Sequence, residues 1–257
     1  MSRHVDDVQL NRRLATLARQ GEQCLADPPA ARRPRKVRMP AGLPNNVAVK
    51  AISHLAHGEV LTARLCDWLA KALPMASARH CMTVQGAEER LHASLYDAYL
   101  TELGDKAKPS PAIALMEHEA NAWDGPPDAL ILAIHVLLES EALALQQSAT
   151  RWFPCPGFQD INRRISRDEG RHLSFGRQYL SAALPQYSVA ERQRMFRWLQ
   201  AAWLRITRAV VSDLGPGWSP MVLGFGAWRR QRWACALAEF ETVGLIEADA
   251  RETKAAP

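Results

Sequence analysis

The chain has 257 residues, of which 47% are hydrophobic and 23% charged, a length and composition suited to one large domain with a sizeable core. No stretch approaches the roughly 18 consecutive apolar residues that a bilayer span needs, and the N-terminus has no apolar signal-peptide core. The net charge of +5 is partly local, because Arg32, Arg33, Arg35, Lys36 and Arg38 cluster around Pro34 and Pro40.

Sparse glycine and frequent Ala, Leu and Arg predict an all-α fold. Residues 1 to about 20 read as a short amphipathic helix with Leu10, Leu14 and Leu17 on one face, followed by a Pro- and Arg-rich connector to Pro44. Residues 1–45 are therefore expected as a basic, partly flexible extension, residues 46–250 as the helical domain, and 251–257 as a tail. A first long helix runs from near Asn46 to Leu73, stopped by Pro74, and places Ile52, Leu55, Glu59, Thr62 and Cys66 along one face. A second covers about Ala76 to Leu103 and carries Glu89, His92, Leu95, Tyr96 and Tyr99. Ser110-Pro111 reads as an N-cap and first helical residue, opening a short crossover helix that ends before Gly125-Pro126-Pro127. A third long helix spans Asp128 to about Trp152, and a fourth about Phe158 to Leu184. Ser188 and Glu191 have capping-box spacing and start a fifth, ending near Gly215 to Gly217, and Ser219-Pro220 starts another. The tryptophans of these last helices, Trp198, Trp203, Trp228 and Trp233, read as packing residues. The five cysteines are scattered, odd in number and without C-x-x-C spacing, which points to a reducing cytoplasm.

The chemistry lies in a repetition. Glu89 to His92 and Glu169 to His172 are both Glu-x-x-His units, and Glu59 and Glu139 stand thirty residues upstream of them. Residues three apart share a helix face, so each unit presents a carboxylate and an imidazole to one point. With 15 Glu and 8 His in the chain, chance alone supplies roughly half a Glu-x-x-His match, so the specificity lies in the pairing. A Glu from each of two helices plus a Glu-x-x-His from each of two others is the donor plan of carboxylate-bridged dinuclear centres in four-helix bundles. Two divalent cations would balance four glutamates, and oxygen and nitrogen ligands without thiolate suit iron or manganese. Periodicity does not choose between Glu139 and Glu141, which point about 200° apart. Asp168 is expected to accept the outer N–H of a ligand histidine. His135, one turn before Glu139, is a candidate extra ligand or support. Tyr96, one turn beyond His92, is a candidate redox residue, with plain packing as the alternative.

Three local matches carry a family resemblance. Gly58-Glu59 with the Leu73-Pro74 helix end, Leu137-Leu138-Glu139, and Asp168-Glu169-Gly170-Arg171-His172-Leu173-Ser174-Phe175-Gly176 make the stretch from Asn46 to Leu184 similar to the ferritin-like di-iron oxidases and oxygenases. Among them it most resembles the cyanobacterial aldehyde-deformylating oxygenases. The resemblance implies a ferritin-like four-helix bundle with a long crossover, to which this chain is expected to add an N-terminal extension and additional C-terminal helices. It implies Glu59, Glu89, His92, Glu139, Glu169 and His172 as ligands, and so Glu139 rather than Glu141. It departs at Tyr96, where that family tends to have phenylalanine, and in the basic N-terminal and Trp-rich C-terminal segments.

The implied function is an oxygenase or oxidase holding two iron ions, or a manganese–iron pair, with O2 as co-substrate and a small or lipid-like substrate such as a fatty aldehyde. No flavin or nicotinamide fingerprint occurs, so an external donor, a ferredoxin or a reductase, is expected. A ferroxidase related to ferritins is one alternative. A tRNA-hydroxylase-type di-iron enzyme is another, with the arginine cluster as phosphate contact. The small subunit of class I ribonucleotide reductase places its radical tyrosine much as Tyr96 lies here, although its first ligand is usually Asp. A homodimer is among the assemblies open to such a chain.

Overall fold

The computed structural model describes residues 8–26, 45–153, 155–215 and 224–247, with the side chains of 148–152 excepted. The Arg32 to Arg38 cluster, the Ser219-Pro220 helix start and the 251–257 tail lie outside the described residues. Among the described residues there is no strand. The helices are α1 (Val8–Ala26), α2 (Asn45–Ala72), α3 (Ala76–Glu102), α4 (Pro111–Ala122), α5 (Asp128–Ile131), a π-helical segment (Leu132–Leu138), α6 (Glu139–Trp152), α7 (Pro156–Ala183), α8 (Val189–Leu214) and α9 (Phe225–Thr242). No helix of the described residues is long and apolar enough to cross a membrane.

Local chemistry explains the boundaries. Pro74 stops α2, and the Arg79 guanidinium donates to the Leu73 and Pro74 carbonyls at 3.0 and 2.8 Å, closing a turn that folds α3 back along α2. The Ser110 hydroxyl accepts the Ile113 amide at 3.2 Å with Pro111 next, starting α4 as expected. Ser188 and Glu191 form the expected capping box of α8. The helix α1 extends beyond the anticipated end and docks on α3 and α7, burying Leu10, Leu14, Ala18 and Gly21. Gly21 permits that approach, because a Cβ there would lie 2.6 Å from Val84 Cγ1 and 3.1 Å from a Glu88 oxygen.

The expected third long helix is not uniform. Seven of its residues, Leu132–Leu138, are π-helical, and the Glu139 amide bonds back to the Ile134 carbonyl, five residues earlier. The wider turn changes the phase at which Glu139 leaves the helix, and such segments are frequent at functional sites. It brings His135 so close to α7 that only glycine fits opposite: a Cβ on Gly176 would lie 2.4 Å from His135 Cβ.

The apolar interior falls into two bodies. One gathers Leu69, Met82, Leu132, Phe175, Leu199, Trp233 and Phe240; the other gathers Ile52, Leu55, Tyr96, Tyr99, Phe158 and Ile165. Along α2, α3 and α7 each helix passes from one body to the other, and Glu59, Glu89, His92, Glu169 and His172 occupy the crossings. The C-terminal tryptophans pack, Trp203 against Trp228 and Trp233, and Trp198 stacks on Trp123 at 4.7 Å between ring centres.

Gly176→Ala should lower stability by about 1–3 kcal/mol, since the clash is with atoms near the His135 backbone that cannot swing away. Gly170→Ala, with nothing within 4 Å of its added Cβ, should be neutral or stabilising by up to about 1 kcal/mol. Chemical denaturation of the two variants tests the contrast.

Candidate metal centre

Six side chains from four helical segments meet in the polar layer: Glu59 from α2, Glu89 and His92 from α3, Glu139 from the start of α6, and Glu169 and His172 from α7. They form two sets of four. Glu59, Glu89, His92 and Glu169 can each offer an atom such that all lie within 4.8 Å of one another, and so can Glu89, Glu139, Glu169 and His172. Glu89 and Glu169 belong to both sets. The same two glutamates face both imidazoles: Nδ1 of His92 lies 3.2 Å from Glu89 and 3.9 Å from Glu169, and Nδ1 of His172 lies 3.3 and 3.2 Å from them. Glu59 adjoins only His92, at 3.7 Å, and Glu139 only His172, at 3.4 Å. The pattern is two cation-sized positions, each with one glutamate and one histidine of its own and two shared carboxylates between them.

The outer imidazole nitrogens are held reciprocally. His92 Nε2 meets Asp168 Oδ2 at 3.1 Å, and His172 Nε2 meets Glu88 Oε2 at 3.0 Å. Each acceptor is the residue just before the ligand glutamate of the opposite helix. A carboxylate there requires N–H at Nε2, which leaves Nδ1 as the lone-pair nitrogen aimed at the centre. Arg171 ties the two acceptors together, donating to Glu88 and to Asp168 Oδ1 at 3.2 Å. Asp168 thus occupies its expected place. Glu88 and Arg171 were not anticipated, though the repetition held the signal for Glu88, which precedes Glu89 as Asp168 precedes Glu169.

Gln85 was also not anticipated. Four residues before Glu89 on the same face of α3, it donates to Glu89 at 3.0 Å and to Glu139 at 2.6 Å. Its carbonyl oxygen then faces His135 Nε2 at 2.9 Å. His135 therefore reaches the ligands through Gln85 and is not itself among them. Glu141 points away to α9, where Arg232 Nε donates to it at 2.7 Å. Tyr96 is fully buried, its hydroxyl 3.3 Å from Asn162 Oδ1 and 3.4 Å from Gln146 Nε2, with its ring against Phe158.

Electrostatics express what the layer lacks. Burial, and then the charges of neighbouring glutamates, push the Glu59 and Glu139 carboxyls well above the usual range. Burial disfavours charged imidazoles, yet the surrounding carboxylates prevail and raise both His92 and His172 well above theirs. Against the same burial, His172 and His92 hold Glu89 low, and His172 and Arg171 hold Glu88 low. His135, whose burial is reinforced by the charge on His172, falls to about 3 and is neutral. Burial pushes the Cys66 thiol up, and Cys66 belongs to neither four-residue set. Glu139 Oε2 is buried and makes no hydrogen bond. Four carboxylates and two imidazoles with Nδ1 turned inward fit two divalent cations, which would take the place of the protons the layer otherwise draws in.

A cavity of about 570 Å³ adjoins the centre. Glu59, Glu89, Glu139 and Glu169 form part of its wall, and Ile52, Leu55, Ile113, Ile134, Leu137, Leu145 and Trp203 are among its mainly apolar remainder. Along α2 it extends from Val47 to Leu65, about 27 Å at 1.5 Å per residue. No family model matches the chain, and no curated protein or solved structure matches it either. Function is therefore read from the geometry of the site itself.

Glu88→Gln and Asp168→Asn should each weaken divalent-metal binding by about 10–100-fold, because the imidazole that would bind metal loses the negative charge of the acceptor that orients it. Arg90→Met, which removes a surface pair with Asp67, should leave affinity unchanged. Competition with a chromogenic chelator reads both.

Proposed function

We propose that the chain is a ferritin-like, carboxylate-bridged dinuclear metal enzyme that uses two iron ions, or a manganese–iron pair, to activate O2 against a small or lipid-like organic substrate. The observation that carries this reading is the junction of two overlapping four-residue donor sets with a long apolar cavity. Glu59 and His92 would hold one metal, Glu139 and His172 the other, and Glu89 and Glu169 would serve both. When bound, such metals supply Lewis-acid and redox chemistry with O2. The protein's own contributions are distinct. Glu88, Asp168 and Arg171 fix the imidazoles, Gln85 restrains Glu89 and Glu139, and the apolar wall keeps water from the reacting carbon.

The cavity also supports an oxygenase over a ferroxidase, whose substrate is an ion and needs no apolar chamber. Its volume lies in the range of small-molecule sites, and its length suits an extended alkyl chain with one end beside the carboxylates. A fatty aldehyde is one such substrate. Electrons would come from a separate ferredoxin or reductase. The nucleic-acid alternative depends on Arg32 to Arg38, outside the described residues, and nothing at the centre favours it.

Anaerobic loading with Fe(II) should give close to two metals per chain and raise the melting temperature, and Glu89→Ala with Glu169→Ala should abolish both effects. No metal uptake by the wild-type chain would overturn the proposal. Exposure of the loaded protein to O2 with medium- and long-chain aldehydes should yield a shortened or oxygenated product, whereas a ferroxidase would accumulate ferric iron and leave the organic compound intact.

Metal affinity should rise with pH through the neutral range. Glu59, Glu139, His92 and His172 are all shifted towards their protonated forms in the metal-free protein, so metal uptake competes with protons at these groups. Calorimetry in buffers of different ionisation enthalpy should show net proton release at pH 7.

A further inference from the structure

Besides the carboxylates, the cavity wall contains groups that the metal centre does not use. Arg232 of α9 is the sole Lys or Arg among the described residues that line it. Its Nε donates to Glu141 at 2.7 Å and its Nη2 to the Ser140 carbonyl at 3.1 Å, with the pair about one-fifth exposed. Nη1 has no partner among the described residues and retains two N–H donors. Trp203 of α8 lines the same cavity, and its Nε1 is buried without any acceptor. Its ring lies 6.3 Å from that of Trp228 and 6.0 Å from that of Trp233, so it rests against the turn of α9 that carries Arg232.

A buried N–H without an acceptor is costly, and a guanidinium beside an apolar chamber needs polar company. Both groups are donors, and the missing partner is an oxygen. We infer that Arg232 and Trp203 form a second recognition point in the cavity, which accepts an uncharged hydroxyl or carbonyl oxygen of the substrate away from the reacting carbon.

The charge balance selects the uncharged oxygen. Glu141 already neutralises Arg232, so a further carboxylate would enter a largely apolar chamber as an unbalanced anion with five more glutamates in its wall. A hydroxyl or carbonyl takes the open donors at no such cost. The substrate is then bifunctional, with an apolar chain, a reacting carbon near Glu59 and Glu139, and an oxygen substituent held at α8 and α9. A site built to hydrogen-bond an oxygen discriminates against the analogue that lacks it. This specificity rests on the reading of the cavity as the substrate chamber of the metal centre.

The test is direct binding, measured on the full chain both metal-free and loaded anaerobically with Fe(II), by displacement of a neutral solvatochromic dye. The probes are dodecane, 1-dodecanol, 2-dodecanone and dodecanoate. The alcohol and ketone should bind about tenfold tighter than the hydrocarbon, one hydrogen-bonded contact's worth, in both metal states. Arg232→Met combined with Glu141→Leu, which removes the pair without stranding either charge, should erase that preference and leave dodecane affinity unchanged. Trp203→Phe, which keeps the ring and deletes the N–H, should reduce it, and it decides the matter alone if the double variant does not fold. Equal binding of all four probes, a preference for dodecanoate by the metal-free chain, or variants indistinguishable from wild type would overturn the inference. Metal stoichiometry is measured separately, so failure of the centre and failure of this recognition point give different results.

Discussion

Everything in this protein is arranged around a layer of buried carboxylates that cuts its apolar interior in two. Glu59, Glu89, Glu139 and Glu169 are buried, and among the described residues no Lys or Arg forms an ion pair with them. Charges so placed must be neutralised locally, by protons or by cations. The layer resolves this partly with imidazoles, whose values the carboxylates raise, and partly by driving protons onto Glu59 and Glu139. Two apolar bodies, above and below, keep water out and give the layer its low dielectric. That same low dielectric makes any bound cation strongly held.

The helices around the layer show what it takes to aim six side chains at one place. On α2, α3 and α7 ordinary helical spacing suffices, because Glu-x-x-His already shares a face. The segment leading into α6 needs more. Its π-helical turns carry Glu139 into the layer and leave Glu141 facing α9, while His135 swings toward α7 and is received by Gly176. The glycine that follows Phe175 is thus explained by a close approach, not by a turn. Gly21 plays the matching part on the other side, where α1 lies against Glu88 and helps to bury the outer carboxylates.

Support behind the donors is reciprocal and economical. Each Glu-x-x-His is preceded by an acid that orients the histidine of the opposite helix, and one guanidinium, that of Arg171, serves both acids. Rigid imidazoles on one side and an apolar cavity on the other make the layer asymmetric. Its imidazoles are locked from behind by Glu88, Asp168 and Arg171, while Glu59, Glu89, Glu139 and Glu169 all line the chamber. The Glu141–Arg232 pair and Trp203 give the chamber a polar feature of its own, with Arg232 and Trp203 contributed by α9 and α8, which supply none of the six clustered side chains.

The amino-acid sequence by itself determined the helical class, most helix ends and the six side chains that meet in the buried layer. Pro74, Ser110-Pro111 and the Ser188 to Glu191 box act within a few residues, and Glu-x-x-His acts within one turn, so their meaning is local. Asp168 was legible for the same reason, and Glu88 was equally available from its place before Glu89. Periodicity alone left Glu139 and Glu141 undecided, because a uniform helix was assumed where the chain widens into a π-helical segment. The family resemblance favoured Glu139, and the structure places Glu139 in the layer and turns Glu141 to α9; the docking of α1, the bridging by Arg171, the relay from His135 through Gln85, and the cavity between α2, α6, α8 and α9 were decided only by tertiary structure. Each depends on which surfaces of distant helices come to lie against one another, a matter of packing volume and buried charge that no short stretch of sequence contains.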